Sequence, residues 1–296
     1  MRYGTVFPHA DIGTDPAAIR GFVQAVEAAG FDYLIAYDHV TGAHPDRFAG
    51  TSIPGFATPP YVHTSPFHEV LTLFAYLAGV TTRLELVTSV LVLPQRQTAL
   101  VAKQAAEVDM LSGGRLRLVV GVGWNFAEYG SLGVDFASRG QQLEEQIVVL
   151  RKLWSEPLVS FQGRWHALDR VALAPRPARP LPIWIGGGGS DGLLGRVARL
   201  ASGWMPLLPP SEDAAAAVSR LRERLSEAGR DPAGFGLDAR IRAGDGTPEA
   251  WIADGRRWRD LGATHLCLNA AVRGTPPEKQ LETAIRMKQA LAPVLA

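Results

Sequence analysis

Short apolar runs alternate along this chain with longer stretches in which apolar residues return at helical spacing. "YGTVF" (3–7) precedes a helical stretch at 15–29, where Asp15 suits the N-cap, Pro16 the first turn and Gly30 the stop. "DYLIAY" (32–37) leads into a long loop rich in Pro and Gly, then a predicted helix over 66–78 with Val70, Leu71, Phe74, Leu77 and Ala78 on one face. "LELVTSV" (84–90) pairs with a helix at 98–111, and "LRLVVGV" (116–122) with one at 138–154. Residues 158–173 read as a strand pair inserted between units. "PIWIG" (182–186), "GWMPL" (203–207), "GLDARIR" (236–242) and "THLCLN" (264–269) follow, with helices predicted at 191–201, 211–228, 248–261 and 276–291.

Eight strand–helix units in 296 residues predict a single (β/α)8 barrel. The runs are continuously apolar, as parallel strands covered by helices are. A doubly wound open sheet is the competing architecture, and the count of eight favours the barrel. No internal repeat or linker divides the chain, so residues 1–296 read as one domain.

Composition narrows the function. A formal net charge of +1 argues against nucleic-acid partners and anionic lipid surfaces. No apolar run approaches the roughly 18 residues of a membrane span. With one cysteine, Cys267, an internal disulfide is excluded. The first ten residues show no signal-peptide pattern, and a cytoplasmic location is expected.

In a barrel, chemistry sits at the C-terminal ends of the strands. The fifth strand ends in Gly186, Gly187, Gly188 and Gly189, followed by Ser190 and Asp191 at a helix start. Backbone N–H groups without Cβ atoms around them, together with the helix dipole, make an anion site, most often for phosphate. The alternative is a turn whose glycines only admit positive φ. Gly121 and Gly123 form a second glycine turn, read as close backbone approach to a flat ligand with Trp124 as a wall. It lacks the third glycine and the later acid of a dinucleotide fingerprint. His39 ends strand two and is the candidate proton donor, with Asp38 beside it to set its tautomer or raise its pKa. The alternative is a buried histidine satisfied by its neighbours. His63, His68 and Glu69 do not match a zinc spacing, so no metal is expected. "GRRWRD" (255–260) reads as a solvated helix face.

Taken together, "YDHV" (37–40), "TSVLVLP" (88–94), "LSGGRLRLVVGVGW" (111–124), "FASRGQQLEEQIVVLRKLW" (136–154), "PIWIGGGGSDG" (182–192) and "ASGWMP" (201–206) resemble the bacterial luciferase-like superfamily. The likeness covers about residues 1–230 and leans toward the branch using the deazaflavin coenzyme F420. It implies a (β/α)8 barrel whose tricyclic cofactor lies over the mouth. Gly186 to Gly189 and Ser190 would hold the phosphate, and Asp38 and His39 would lie beside the ring. A non-prolyl cis peptide is implied at Ser89–Val90, and Trp124 and Trp204 would flank the site. Where some deazaflavin sugar-phosphate dehydrogenases carry a catalytic glutamate, this chain has Phe126, with Glu128 two residues on. That argues against a sugar phosphate and makes Glu128 a support for the loop.

The expected activity is F420-dependent hydride transfer to or from a small organic substrate, with Phe7, Phe48, Phe56 and Tyr61 lining its pocket. An FMN-dependent monooxygenase is the alternative within the class. A non-catalytic flavin-binding protein and a metal-dependent barrel hydrolase are the readings outside it, and the second has too few strand-end ligands. A homodimer is admissible.

Overall fold

The protein is described by a computed structural model covering residues 1–53, 57–244 and 246–295. Phe56 lies outside the described residues. In chain order the elements are β1 (Arg2–Val6), α1 (Pro16–Ala28), β2 (Tyr33–Ala36), α2 (Val70–Val80), β3 (Glu85–Thr88), β4 (Leu91–Val92) and α3 (Thr98–Leu111). Next come β5 (Leu116–Gly121), α4 (Phe126–Ser131), α5 (Arg139–Ser155), β6 (Val159–Gln162) and β7 (Ala167–Val171). The chain continues with β8 (Ile183–Gly187), α6 (Asp191–Leu200), β9 (Gly203–Pro206), α7 (Glu212–Glu227), β10 (Gly236–Arg242), α8 (Pro248–Asp260), β11 (His265–Asn269) and α9 (Pro277–Leu295).

Capping sets several of these limits. The Asp15 carboxylate accepts from Ala17 N–H at 2.9 Å and starts α1 where the sequence predicts. Helix α2 begins at Val70 rather than Pro66, because Glu69 is its cap and accepts from Thr72 N–H at 2.7 Å. Residues 66–68 therefore stay in the loop, and Phe67 and His68 join an aromatic cluster. Asn125 caps α4, a short helix that the sequence reading missed.

The sheet runs β3-β2-β1-β11-β10-β9-β8-β5, and β3 also pairs with β5. All these pairings are parallel, so eight strands close into a barrel. The β6–β7 hairpin is antiparallel and stands apart from it, as expected. Strand three continues along β5 as β4. Val87 pairs with Arg117 and Leu91 with Val120, so four steps on one strand face three on the other. The extra residue is a bulge. The Ser89–Val90 peptide within it is cis, as the resemblance implies.

Strand side chains alternate between the helix layer and the lumen. Leu34, Leu86, Leu118, Ile183 and Leu266 face the helices in the main core. Val6, Tyr33, Ile35, Val87, Val119, Trp184, Met205 and Cys267 form a second cluster in the lumen. The N-terminal half of the lumen is filled by rings set against glycines. A Cβ on Gly4 would meet Tyr33 at 2.2 Å, and one on Gly203 would meet Trp184 at 2.3 Å. Between the rings Arg117 binds Asp238 at 2.8 Å, and Asp238 also accepts from Tyr33 Oη at 2.7 Å. These rings and the ion pair plug the N-terminal end of the barrel. Among the described residues no helix is long and apolar enough to cross a membrane.

Candidate active site

Val90 is the centre of the mouth. The bulge turns its side chain inward between two strand-end glycines. A Cβ on Gly121 would stand 2.5 Å from Val90 Cγ2, and one on Gly186 would stand 2.3 Å from Cγ1. Both glycines make room for this valine. Gly123 has φ +63°, where a side chain is strained.

His39 stands at the end of strand two on a buried carboxylate. Its Nδ1 lies 3.4 Å from Glu128 Oε2. Glu128 also accepts from Val40 N–H (2.5 Å), Thr41 N–H (3.1 Å), Tyr61 Oη (3.0 Å) and Gln95 Nε2 (3.2 Å). Burial pushes its carboxyl pKa up, but the His39 hydrogen bond and charge and the two N–H groups outweigh that and hold it below the usual range. An ionised Glu128 with five donors holds the loop and orients His39, as expected for a support. The carboxylate facing His39 is thus Glu128, not its chain neighbour Asp38. The Glu128 contact fixes Nδ1 as the donor, and Nε2 makes no hydrogen bond among the described residues.

The Tyr61 ring lies 3.7 Å from the His39 ring, centroid to centroid, and Phe67 meets His39 edge-on at 4.9 Å. Trp124 lies 5.4 Å from Tyr61 and 5.5 Å from Phe48, so the segment after β5 and the long loop share one aromatic wall. Asn125 donates to Tyr61 Oη at 2.6 Å. Phe67, Gln95 and Asn125 were not singled out in the sequence. Only an alignment of loop and strand end in space brings them together.

Three expected site residues face elsewhere. Phe7 is fully buried in the core against Phe22, so it lines no pocket. Trp204 is also fully buried, because it points outward from β9 while the next residue, Met205, points into the lumen. Asp38 spends its carboxylate on Arg96 (2.5 Å) and Val92 N–H (2.9 Å), 2% exposed, and so anchors strand two to strand three.

The glycine run divides by role. Gly186 yields to Val90, a Cβ on Gly187 would meet Leu193 at 2.3 Å, and one on Gly189 would meet Ala217 at 2.8 Å. These three have packing reasons beyond the expected cradle. A Cβ on Gly188 would meet nothing within 4 Å among the described residues. Beside it α6 begins at Asp191, with Ser190 as a cap whose side chain makes no capping hydrogen bond. Unpaired N–H groups of that first turn and the idle Ser190 hydroxyl fit an anion. The apolar Val90 platform and the aromatic wall fit a flat ring. The donor set therefore suits a ring with a phosphate arm, held by Val90, the wall and the α6 start. Among the described residues no cluster of three or more His, Cys, Asp or Glu could hold a metal ion.

The match to known proteins follows the same lines. Residues 1–290 match the luciferase-like monooxygenase family, and the chain belongs to it. Members of this class are flavin- or deazaflavin-dependent oxidoreductases. An uncharacterized protein of Mycobacterium tuberculosis is 32% identical over 287 residues, covering 95% of each chain. A monooxygenase from Streptomyces bottropensis superposes with a TM-score of 0.80 at 19% identity, covering all of both chains. An F420-dependent secondary alcohol dehydrogenase, solved with an F420–acetone adduct, superposes at 0.77 with 18% identity, covering 100% of this chain and 99% of that one.

Proposed function

We propose that the protein is a coenzyme F420-dependent oxidoreductase that passes a hydride between the deazaflavin and a small organic substrate. The observation that carries this reading is the Glu128–His39 pair, a buried carboxylate that holds one imidazole nitrogen and leaves the other with no partner among the described residues. Hydride transfer to or from a carbonyl or alcohol carbon requires a proton at the neighbouring oxygen. His39 Nε2 takes or gives that proton, while Glu128 holds the imidazole in its orientation. When bound, the deazaflavin supplies the hydride donor or acceptor at its C5 carbon. Val90 carries the ring from below. The α6 first turn, Gly188 and Ser190 hold the phosphate. Tyr61, Phe48 and Trp124 shape the substrate space and keep water out.

An FMN-dependent monooxygenase is the second reading, supported by the family match. Titrating the apoprotein with each cofactor and following fluorescence separates the two. Coenzyme F420 is expected to bind at least tenfold more tightly, a gap of about 1.4 kcal/mol. Tighter binding of FMN would overturn the choice.

A further inference from the structure

The lumen holds two arginines in opposite circumstances. Arg117, in the plugged half, has Asp238 at 2.8 Å and Glu85 at 3.4 Å. Arg240 projects from β10 nearer the mouth and is only partly exposed. Among the described residues no carboxylate lies within 4 Å of its nitrogens. Its Nη2 donates to Ser89 Oγ at 2.7 Å, across the lumen on strand three. Its Nη1 reaches Tyr37 Oη at 3.5 Å, and its Nε is buried with no hydrogen-bond partner among the described residues. Asp238, the acid on its own strand, is committed to Arg117 and Tyr33. Cys267 offers no anion, since burial pushes its thiol up to about 12.

A guanidinium largely shielded from water, with no counter-ion among the described residues, costs stability, and a neutral side chain would fill the space without that cost. The cation stands directly under the residue that begins the cis peptide of the mouth. We propose that Arg240 is a redox-tuning residue that favours the reduced, negatively charged form of the cofactor ring over the oxidised form. The proposal rests on the mouth being the cofactor site. A ring that has accepted a hydride carries one more negative charge than before, and Arg240 then gains the partner that the fold withholds. A cation that binds the two forms unequally shifts their equilibrium by that difference.

The test compares dissociation constants of oxidised and reduced coenzyme F420 for wild type, Arg240→Gln and Arg240→Lys, with the same pair of measurements for FMN. In wild type the reduced form is expected to bind more tightly, so the bound midpoint potential lies above that of the free cofactor. Arg240→Gln is expected to weaken the reduced form at least tenfold and the oxidised form less than threefold. A tenfold differential is about 30 mV in a two-electron couple. Arg240→Lys, which keeps the charge, is expected to retain most of the preference. Equal weakening of both forms, or no change in a folded variant, overturns the proposal. Should Arg240→Gln fail to fold, a wild-type bound potential at or below the free value overturns it instead. If FMN binds and F420 does not, the choice of cofactor fails while the Arg240 comparison still stands or falls on FMN. Binding of neither by wild type sinks both.

Discussion

Gly186→Ala probes the packing of the mouth, where the structure assigns this glycine to Val90 rather than to a ligand. The new Cβ would stand 2.3 Å from Val90 Cγ1, while the next atoms, Val119 Cγ1 and Met205 O, lie at 3.5 and 3.7 Å. Carbon atoms rest at roughly 3.5–4.0 Å, so one contact alone is violated, by more than about 1 Å. Valine is stiff at χ1, and its other methyl already sits where a Gly121 Cβ would fall. The strain has no cheap outlet, and a cost in the upper part of the ~1–3 kcal/mol overpacking range is expected. Val90→Ala removes both methyls and leaves no atom nearer than 3.5 Å to the new Cβ. The double variant is therefore expected to match Val90→Ala alone to within about 0.5 kcal/mol, a coupling of about 1–3 kcal/mol. Urea midpoints at constant m-value measure all four proteins. A Gly186→Ala protein as stable as wild type refutes the reasoning, as does an equal penalty in the Val90→Ala background.

His39→Asn is expected to lower turnover about 10²–10⁴-fold, with cofactor affinity changed far less; a stability loss with intact per-site turnover would return His39 to a packing role. Gly188→Val meets open space at its Cβ, so the variant is expected to keep the wild-type urea midpoint and bind cofactor weakly; unchanged affinity removes the phosphate assignment. His9 is 3% exposed and its Nε2 accepts from Tyr37 N–H at 3.0 Å. Burial, then the nearby His68 and His39, push its pKa down to about 3. The native protein thus binds fewer protons than the unfolded chain below about pH 6.5, and stability falls with pH until about 3, by about 1.4 kcal/mol at pH 5.5. Stability measured against pH is expected to lose one proton of slope in His9→Asn across that window; identical slopes contradict it.

The barrel was legible because eight apolar runs and their caps are local features, written in consecutive residues such as Asp15–Pro16. The two faces of each strand were not. In "GWMP" both Trp204 and Met205 are apolar, so periodicity cannot say which one enters the lumen, and the larger ring was assigned to the site. Phe7 was misplaced for the same reason. His39 stands out in the sequence as a candidate from its position at a strand end. Its partner Glu128 lies 89 residues away, while the carboxylate next to it in sequence, Asp38, binds Arg96 instead. Arg240 carries no local signal at all: its meaning lies in what does not surround it, which only closure of the barrel decides. The glycine run shows the opposite limit, since one visible motif serves packing at three positions and open space at the fourth.

A crystal structure of the protein with bound coenzyme F420 tests the central claim most directly, that Val90, His39 and the α6 start form one cofactor site. The expected density has the ring on Val90, the phosphate at the N–H groups beside Gly188 and Ser190, and His39 Nε2 facing the reacting edge directly or through one water. A ring bound away from Val90, or an imidazole turned from it with no such path, would contradict the account.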